Sequence, residues 1–591
     1  LIARFSLSVN SRFVDLEHTP QLCHAETMKN YRPIVVVLFL ILGGVSFGWA
    51  ASATDPYPPD GRLYIEPQAL SLNWLPPEDN PSPVDHYALR LDEDPDVVQN
   101  PALTPAFAGD VAASPAPSFL IDELARDTTY YWRVDAVLQD ASVVTGDLWS
   151  FTTEPIDIPG NVINYSSDPV NQYLMSPSII ILSDGTYIAN HEYSGPWGVG
   201  QAKQTLIFRS TDRGRSWRQI ATVYDQFWSS TFYHNGALYL MGIDGKGGNP
   251  SVTIRRSDDG GETWTEALDE YSGLLLPGTN EGYHTGPVPI AIHNGRIWRA
   301  MEDRADPGEW GYYFRAFVMS APVDADLLVA ANWTATPPMS HDEVNWTGTG
   351  WLEGNVVVSP AGEMLNILRV SSAIPSLGTV DTAAVMHVSD DGTATSFDPE
   401  GDFIDLPGGG VKFVIRYDDE TELYWTLSNY QRHPYAMRNK LVLCSSPDLL
   451  HWSAHETVLY HWDIVFHAWQ YVDWRIDGDD IVFVSRTAYP MGHEVLPHGY
   501  HDANFFTFHR IEHFRDVLTP LDDDTTDDDI VDDDAIDDDT SDDDLVDDDM
   551  IDDDATDDDI SDDDTADDDT IDDNAIDDDD DDDNDNDGCG C

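Results

Sequence analysis

One short pattern constrains this chain more than any other. Ser210-Thr-Asp212-Arg-Gly214-Arg-Ser-Trp217 reads S-x-D-x-G-x-x-W, and Ser257-Asp-Asp259-Gly-Gly261-Glu-Thr263-Trp264 reads it again. Ser446-Pro-Asp448-Leu-Leu-His-Trp452 keeps Ser, Asp and Trp; Ser389-Asp-Asp391 keeps the start; Ser320 to Asp324, with Asn332-Trp333 downstream, is a stretched copy. The five serines recur at steps of 47, 63, 69 and 57 residues. Each residue type has a physical task. Ser and Asp hydrogen-bond the backbone of a tight turn, Gly permits the bend, and Trp covers the edge of the sheet that follows. Repeated units of this length cannot bury a core alone and must pack against their neighbours.

A step of this size is that of a four-stranded blade, so the repeat predicts an all-β propeller. First strands are expected at 177–182, 229–233, 285–292, 354–359, 411–417 and 469–476, which makes six blades. The sixth shows three strands and ends at Phe505–Ile511; Val162–Tyr165 is expected to supply its fourth and so remove the exposed sheet edges. The turns and the blade count resemble the Asp-box, or BNR, repeats of the sialidase superfamily over about 156–515. Asp-boxes identify a scaffold, and chemistry has to be argued from the rim.

In a propeller the first-strand starts and second-strand ends share one face. That geometry gathers His191, Glu192, Ser229, Asp244, His284, Glu302, Asp303, Arg304, Glu353, Arg369, Asn429, Arg432, His467, Gln470 and Arg486 there, joined by His501 and Asp502 from the last loop. Trp351-Leu-Glu353-Gly-Asn followed by Leu365-Asn-Ile-Leu-Arg369 looks like the glutamate strand and arginine of a sialidase. The resemblance implies that Glu353 polarises a tyrosine nucleophile, with Tyr489 the candidate, and that Arg369 and Arg486 grip a substrate carboxylate. A guanidinium offers a carboxylate a planar, permanently charged fork. Arg304, His467, Gln470 and Asp502 are the further candidates for substrate binding. Where the family places its first arginine, Leu174-Met175-Ser176-Pro177 has Met175. His191 and His284 suit acid–base work near neutral pH. Three readings follow: hydrolysis of glycosidic bonds in acidic glycans, a His-based lyase or glycosidase acting on uronate polysaccharide, and a non-catalytic glycan-binding or adhesion protein. No tight H-x-x-x-H or similar spacing points to a metal site, and no cofactor is expected.

The remaining segments frame that body. Residues 57–155 alternate in short strands, with Trp74 on an apolar face and Tyr130 after a Thr-Thr pair; they resemble a fibronectin type III domain, in which Trp74 fills the core and Tyr130 forms a tyrosine corner. Met28, Lys29, Arg32, the apolar run Ile34–Leu42 and Ala51-Ser52-Ala53 have the order of a secretory signal peptide over 28–53, and 1–27 reads as upstream extension. An exported chain without a membrane anchor is expected. The formal charge is −78, and 41 aspartates with no Lys or Arg fall in 521–591. This 516–591 tail repeats Asp-Asp-Asp-x-x, cannot bury a core, and ends in Cys589-Gly-Cys591. Weak Ca²⁺ association and surface attachment are its expected roles. The body is acidic as well, which argues against nucleic acid and acidic membrane surfaces as partners. Cys444 stands alone in the body, so the core and not a disulfide framework has to hold the fold.

Overall fold

The computed structural model describes residues 52–518 except 78–81, 156–157, 196–202, 247–248, 279–281, 306–313, 372–380, 431–436 and 492–495. The signal segment, the upstream extension, the acidic tail and Arg432 lie outside the described residues. The described chain is almost entirely β-strand. Among the described residues no helix is long and apolar enough to cross a membrane.

Residues 54–153 form two facing sheets. One holds Thr54–Tyr57, Gln68–Leu75 and Ser118–Glu123; the other holds Arg62–Ile65, Trp149–Thr153, Thr129–Leu138, Val84–Asp92 and Phe107–Ala112. Alternation sends Leu70, Leu72 and Trp74 from one sheet and Tyr87, Leu89, Leu91 and Trp132 from the other into a shared core. The Tyr130 hydroxyl accepts the Ala125 amide at 3.0 Å.

Six antiparallel sheets follow in chain order. Their first strands are Tyr173–Ile181 in sheet I, Phe227–His234 in II, Tyr283–His284 with Ile290–His293 in III, Gly350–Val358 in IV, Ile415–Asp418 in V and Ala468–Asp477 in VI. Sheet VI takes its last strand from the front of the chain: Asn161–Tyr165 pairs with Phe505–Ile511, Tyr165 opposite Phe505. A separate apolar cluster fills every sheet-to-sheet interface. Ile207 and Leu238 join I to II, Met241 and Phe317 join II to III, and Trp298 and Val356 join III to IV. Ile367 and Phe413 join IV to V, Trp425 and Trp474 join V to VI, and Val484 and Leu174 join VI back to I. The sheets therefore close into a ring, which leaves no sheet edge unpaired between first and last.

The turn pattern has the bonds its residue types suggest. In sheet I the Gly214 amide donates to Ser210 Oγ at 2.8 Å, the Ser216 amide to Asp212 Oδ1 at 2.9 Å, and the Trp217 indole to the Gly214 carbonyl at 3.0 Å. Sheet II repeats them at Ser257, Asp259 and Trp264. Sheet V repeats them at Ser446, Asp448 and Trp452, with Leu449 in the glycine's place at φ +70°. Gly214 lies at φ +87°, and a Cβ there would meet the Phe508 ring at 2.2 Å. In sheet III the stretched copy differs. Ser320 Oγ accepts from Arg296, and only the tryptophan bond persists, from Trp333 to the Leu327 carbonyl at 2.9 Å. The insertion between Ser320 and Trp333 moves the serine out of reach of its turn.

A belt of polar side chains ties the first strands together around the axis. The Thr231 amide donates to Ser178 Oγ at 3.2 Å, Ser230 Oγ donates to the Val288 carbonyl at 2.9 Å, and the Ile415 amide donates to Asn355 Oδ1 at 3.0 Å. The Ile179 amide donates to Asp473 Oδ2 at 3.0 Å and closes the belt from VI to I. Farther out, the turn Phe514–Val517 is clamped to sheet V. Arg515 donates Nε and Nη2 to the Asp418 carboxylate at 2.9 and 2.7 Å. Those bonds hold the Asp418 carboxyl at about 2, below its usual 3.8. A depressed carboxylate contributes stability that is full above its unfolded value and is lost as pH falls through the folded one. Acid unfolding between about pH 4 and pH 2 should therefore draw on this pair by on the order of 1–2 kcal/mol. In Asp418→Asn that pH-dependent component should be missing when denaturation midpoints are compared at pH 6 and pH 3.

Candidate active site

The same local irregularity recurs in four first strands. Pairing to the second strand slips between Met175 and Ser178, Phe227 and Ser230, Leu352 and Asn355, and Gln470 and Asp473. Each slip holds one non-glycine residue in the left-handed region: Ser176 at φ +48°, Trp228 at +50°, Glu353 at +57° and Tyr471 at +55°. A bulge re-aims a side chain, and side chains other than glycine seldom adopt this conformation unless the surroundings impose it. Here the bulges stand where the strands enter the ring, directly before the axial belt.

Glu353 and Tyr471 meet through Arg369. Arg369 Nη1 donates to Glu353 Oε2 at 2.9 Å and to the Tyr471 hydroxyl at 3.5 Å, and its Nε donates to the Gly410 carbonyl at 3.0 Å. Burial opposes ionisation of Glu353, but the charges of Arg369, His284 and Lys412 outweigh it and hold the carboxyl below its usual range. The same carboxylate raises the Arg369 pKa against its own burial. The pair is therefore ionised at neutral pH. Two more guanidiniums flank the Tyr471 ring, those of Arg438 and Arg486, each 5.2 Å from its centroid. Arg486 also donates to Met175 Sδ at 3.1 Å and to the His501 carbonyl. Gln470 bridges the Arg438 guanidinium and the carbonyls of Tyr500 and His501. Below them Lys412 donates to the carbonyls of Tyr471 and Val472 at 3.2 and 2.7 Å, and burial lowers its pKa to about 7.

His284 joins from sheet III. Its Nδ1 bonds Glu302 Oε2 at 2.9 Å, its ring lies 4.7 Å from that of Trp228, and Glu302 Oε1 accepts the Gly354 amide at 3.3 Å. An imidazole held through Nδ1 has a fixed orientation and keeps Nε2 for proton exchange. Arg304 ends the second strand of sheet III, next to Asp303, which Arg315 clamps at 2.6 and 2.7 Å.

Other sequence candidates take different positions. His191 is fully enclosed between Phe208 and Phe506, accepts or donates at Asn164 and the Glu192 carbonyl, and burial lowers its pKa to about 4. It packs the interface between sheets I and VI. Its neighbour Glu192 is buried too, accepts from Thr205 and the Ser229 amide, and is pushed up to about 8 by burial. Tyr489 packs edge-on against His467 at 4.8 Å, and the tyrosine hydroxyl at Arg369 is that of Tyr471. Asp502 bonds His498 and His501, each at 2.7 Å; although burial opposes it, those bonds hold Asp502 below its usual pKa. His467 pairs with Asp463 at 2.8 Å and lies on the His461 ring. Tyr471, Lys412 and Arg438 escaped the sequence reading. Tyr471 follows the flagged Gln470 on an expected first strand, which is the signal that points to it. A cavity of about 170 Å³ also lies on the axis, walled by Ile180, Ser230, Thr231, Val288, Arg416 and Asp473. Those residues come after the bulges, so Glu353 and Tyr471 do not line it.

A ring of antiparallel sheets with this Glu–Arg–Tyr cluster at its entrance is a β-propeller of sialidase-like fold. No family model matches the chain, and no curated protein does. Solved structures similar to it are glycoside hydrolases by name. The Hadza microbial sialidase is 12% identical over 78% of this chain and 99% of its own, at a TM-score of 0.43. The α-L-arabinanase of Penicillium chrysogenum, solved with arabinobiose, is 17% identical over 62% of this chain and 100% of its own, at 0.40. The α-L-arabinofuranosidase of Fusarium graminearum, also solved with arabinobiose, is 14% identical over 62% and 98%, at 0.41.

Proposed function

We propose that this chain is an exported, six-bladed propeller hydrolase of acidic glycans, with S-x-D turns of the Asp-box type. A fibronectin type III-like module precedes the propeller, and an Asp-rich tail follows it as a surface stalk. The observation that carries the reading is the meeting of Glu353, Arg369 and Tyr471 at two matching bulges. Tyr471 Oη attacks the anomeric carbon, and its proton passes to Glu353 as Arg369 turns to the substrate carboxylate. The glycosidic C–O bond breaks, and the leaving oxygen takes a proton from His284 Nε2. Water then attacks the same carbon, gives its proton to His284, and the released tyrosinate recovers its proton from Glu353. A phenol suits an anionic sugar, because a carboxylate nucleophile would be repelled. Arg369, Arg438 and Arg486 place a local positive field in a chain of charge −78, which favours a carboxylate-bearing sugar.

The His284–Glu302 pair favours a second reading, proton abstraction from a uronate by His284 in a lyase. Incubation with an aryl sialoside and with uronate polysaccharides separates the two. Release of free sugar, reduced about 10²–10⁴-fold in Glu353→Gln, is the expected result. Unsaturated product that disappears in His284→Ala would establish the lyase instead. Saturable glycan binding with no product from any substrate would sink both and leave an adhesion protein.

A further inference from the structure

The connection from sheet V to sheet VI carries a second group of chemically capable side chains. It reads His461-Trp-Asp463-Ile-Val-Phe-His467, an H-x-D-x-x-x-H spacing. One ligand atom from each of His461, Asp463 and His467 lies within 4.8 Å of the others. We infer that His461, Asp463 and His467 form a binding site for a first-row divalent transition ion such as Zn²⁺, on the same rim as Tyr471.

The geometry is organised for such an ion. The two imidazole rings are nearly parallel, at 15°, with centroids 3.4 Å apart. Asp463 Oδ2 bonds His467 Nδ1 at 2.8 Å, and the Asp463 amide donates to His461 Nδ1 at 3.1 Å. The loop is pinned on both sides. The His461 amide donates to the Asn439 carbonyl at 3.1 Å, and Asn439 Nδ2 donates back to the His461 carbonyl at 2.7 Å. The three side chains are neither sealed in nor fully exposed, so an ion can enter and still be shielded.

The donor set selects the class of ion. Imidazole with carboxylate suits Zn²⁺ and its neighbours, whereas Ca²⁺ and Mg²⁺ take oxygen cages. Ligands about 2 Å from one ion stand within about 4 Å of each other, so a modest side-chain rotation completes the set. Three protein ligands leave a position open. The group adjoins Arg438, through Asn439, and Gln470, three residues beyond His467, and both of these contact the Tyr471 cluster. An ion here would fix the loop that carries those two side chains.

The test uses the full chain, stripped with chelator and titrated with Co²⁺ and Zn²⁺. The acidic tail supplies weak, all-oxygen sites, so the readout has to separate the two. A visible Co²⁺ spectrum of nitrogen-ligated, four- or five-coordinate intensity, saturating at one ion per chain and displaced by Zn²⁺, is the expected result. His461→Gln and His467→Gln should each weaken that site at least about tenfold. Zn²⁺ should raise the unfolding midpoint of the parent chain and not of the variants. Wild-type protein that gives only the weak six-coordinate spectrum overturns the proposal, and this result needs no variant to fold. A one-to-one nitrogen-ligated site that persists unchanged in both variants overturns it too.

Discussion

Tyr471→Phe should yield a folded protein whose turnover on its acidic glycan falls about 10³-fold or more. The substitution removes one oxygen and keeps the ring that Arg438 and Arg486 flank at 5.2 Å. The lost contact is a 3.5 Å bond from Arg369, at the limit of what counts as a hydrogen bond, so the stability change should stay below about 1 kcal/mol. KM should move little, because the arginines that hold the substrate remain. A tyrosine that only packs the entrance would behave in the opposite way, with stability affected and rate preserved. Glu353→Ala is a poorer probe. It leaves Arg369 buried without its carboxylate, so loss of fold and loss of chemistry would be confounded. Glu353→Gln keeps the shape and one acceptor, which is why it serves as the partner variant.

Asp473→Ala should destabilise the protein by about 3–5 kcal/mol, the range for breaking a buried ion pair. Its Oδ1 accepts from Arg416 at 2.8 Å, from Arg475 at 2.9 Å and from the Trp474 amide at 3.0 Å. Its Oδ2 accepts from Ser178 Oγ at 2.9 Å and the Ile179 amide at 3.0 Å. Removing the carboxylate strands two guanidiniums and opens the belt where sheet VI meets sheet I. It also removes the nearest charge that favours protonation of Lys412. Asp473→Asn retains acceptor capacity and should cost less, about 1–3 kcal/mol. Urea titrations of both variants measure this. A loss under about 1 kcal/mol for Asp473→Ala would mean that sheets VI and I are held by the apolar cluster of Leu174, Val484 and Phe506 alone.

What could be read from the sequence tracks how local each feature is. The turn at Ser210–Trp217 closes on itself, since Ser210, Asp212, Gly214 and Trp217 are one another's partners within eight residues. The pairing of Asn161–Tyr165 with Phe505–Ile511 spans the whole ring, yet strand alternation and an unfilled last sheet were enough to raise it. Side-chain direction was the harder part. His191 and Glu192 follow each other at the end of one strand, and only the packing of Phe208 and Phe506 around the imidazole places His191 in a sheet interface. Tyr471 was hidden for a different reason. Strict alternation along Ala468–Asp477 breaks at the slip between Gln470 and Asp473, and nothing in the residue types announces a tyrosine at φ +55°. The same slip at Glu353 was reached only through its likeness to a known glutamate strand. Arg438 precedes a strand and meets Tyr471 across sheets, a contact that no spacing encodes.

The most direct test of the account is to trap the covalent intermediate. The protein is incubated with an activated acidic glycosyl donor, fluorinated beside the anomeric carbon to slow hydrolysis, then quenched, digested and mapped by mass spectrometry. The expected result is one glycosyl adduct on Tyr471, absent from Tyr471→Phe and strongly reduced in Glu353→Gln. An adduct on any other residue, or full turnover of the unfluorinated donor by Tyr471→Phe, would contradict it.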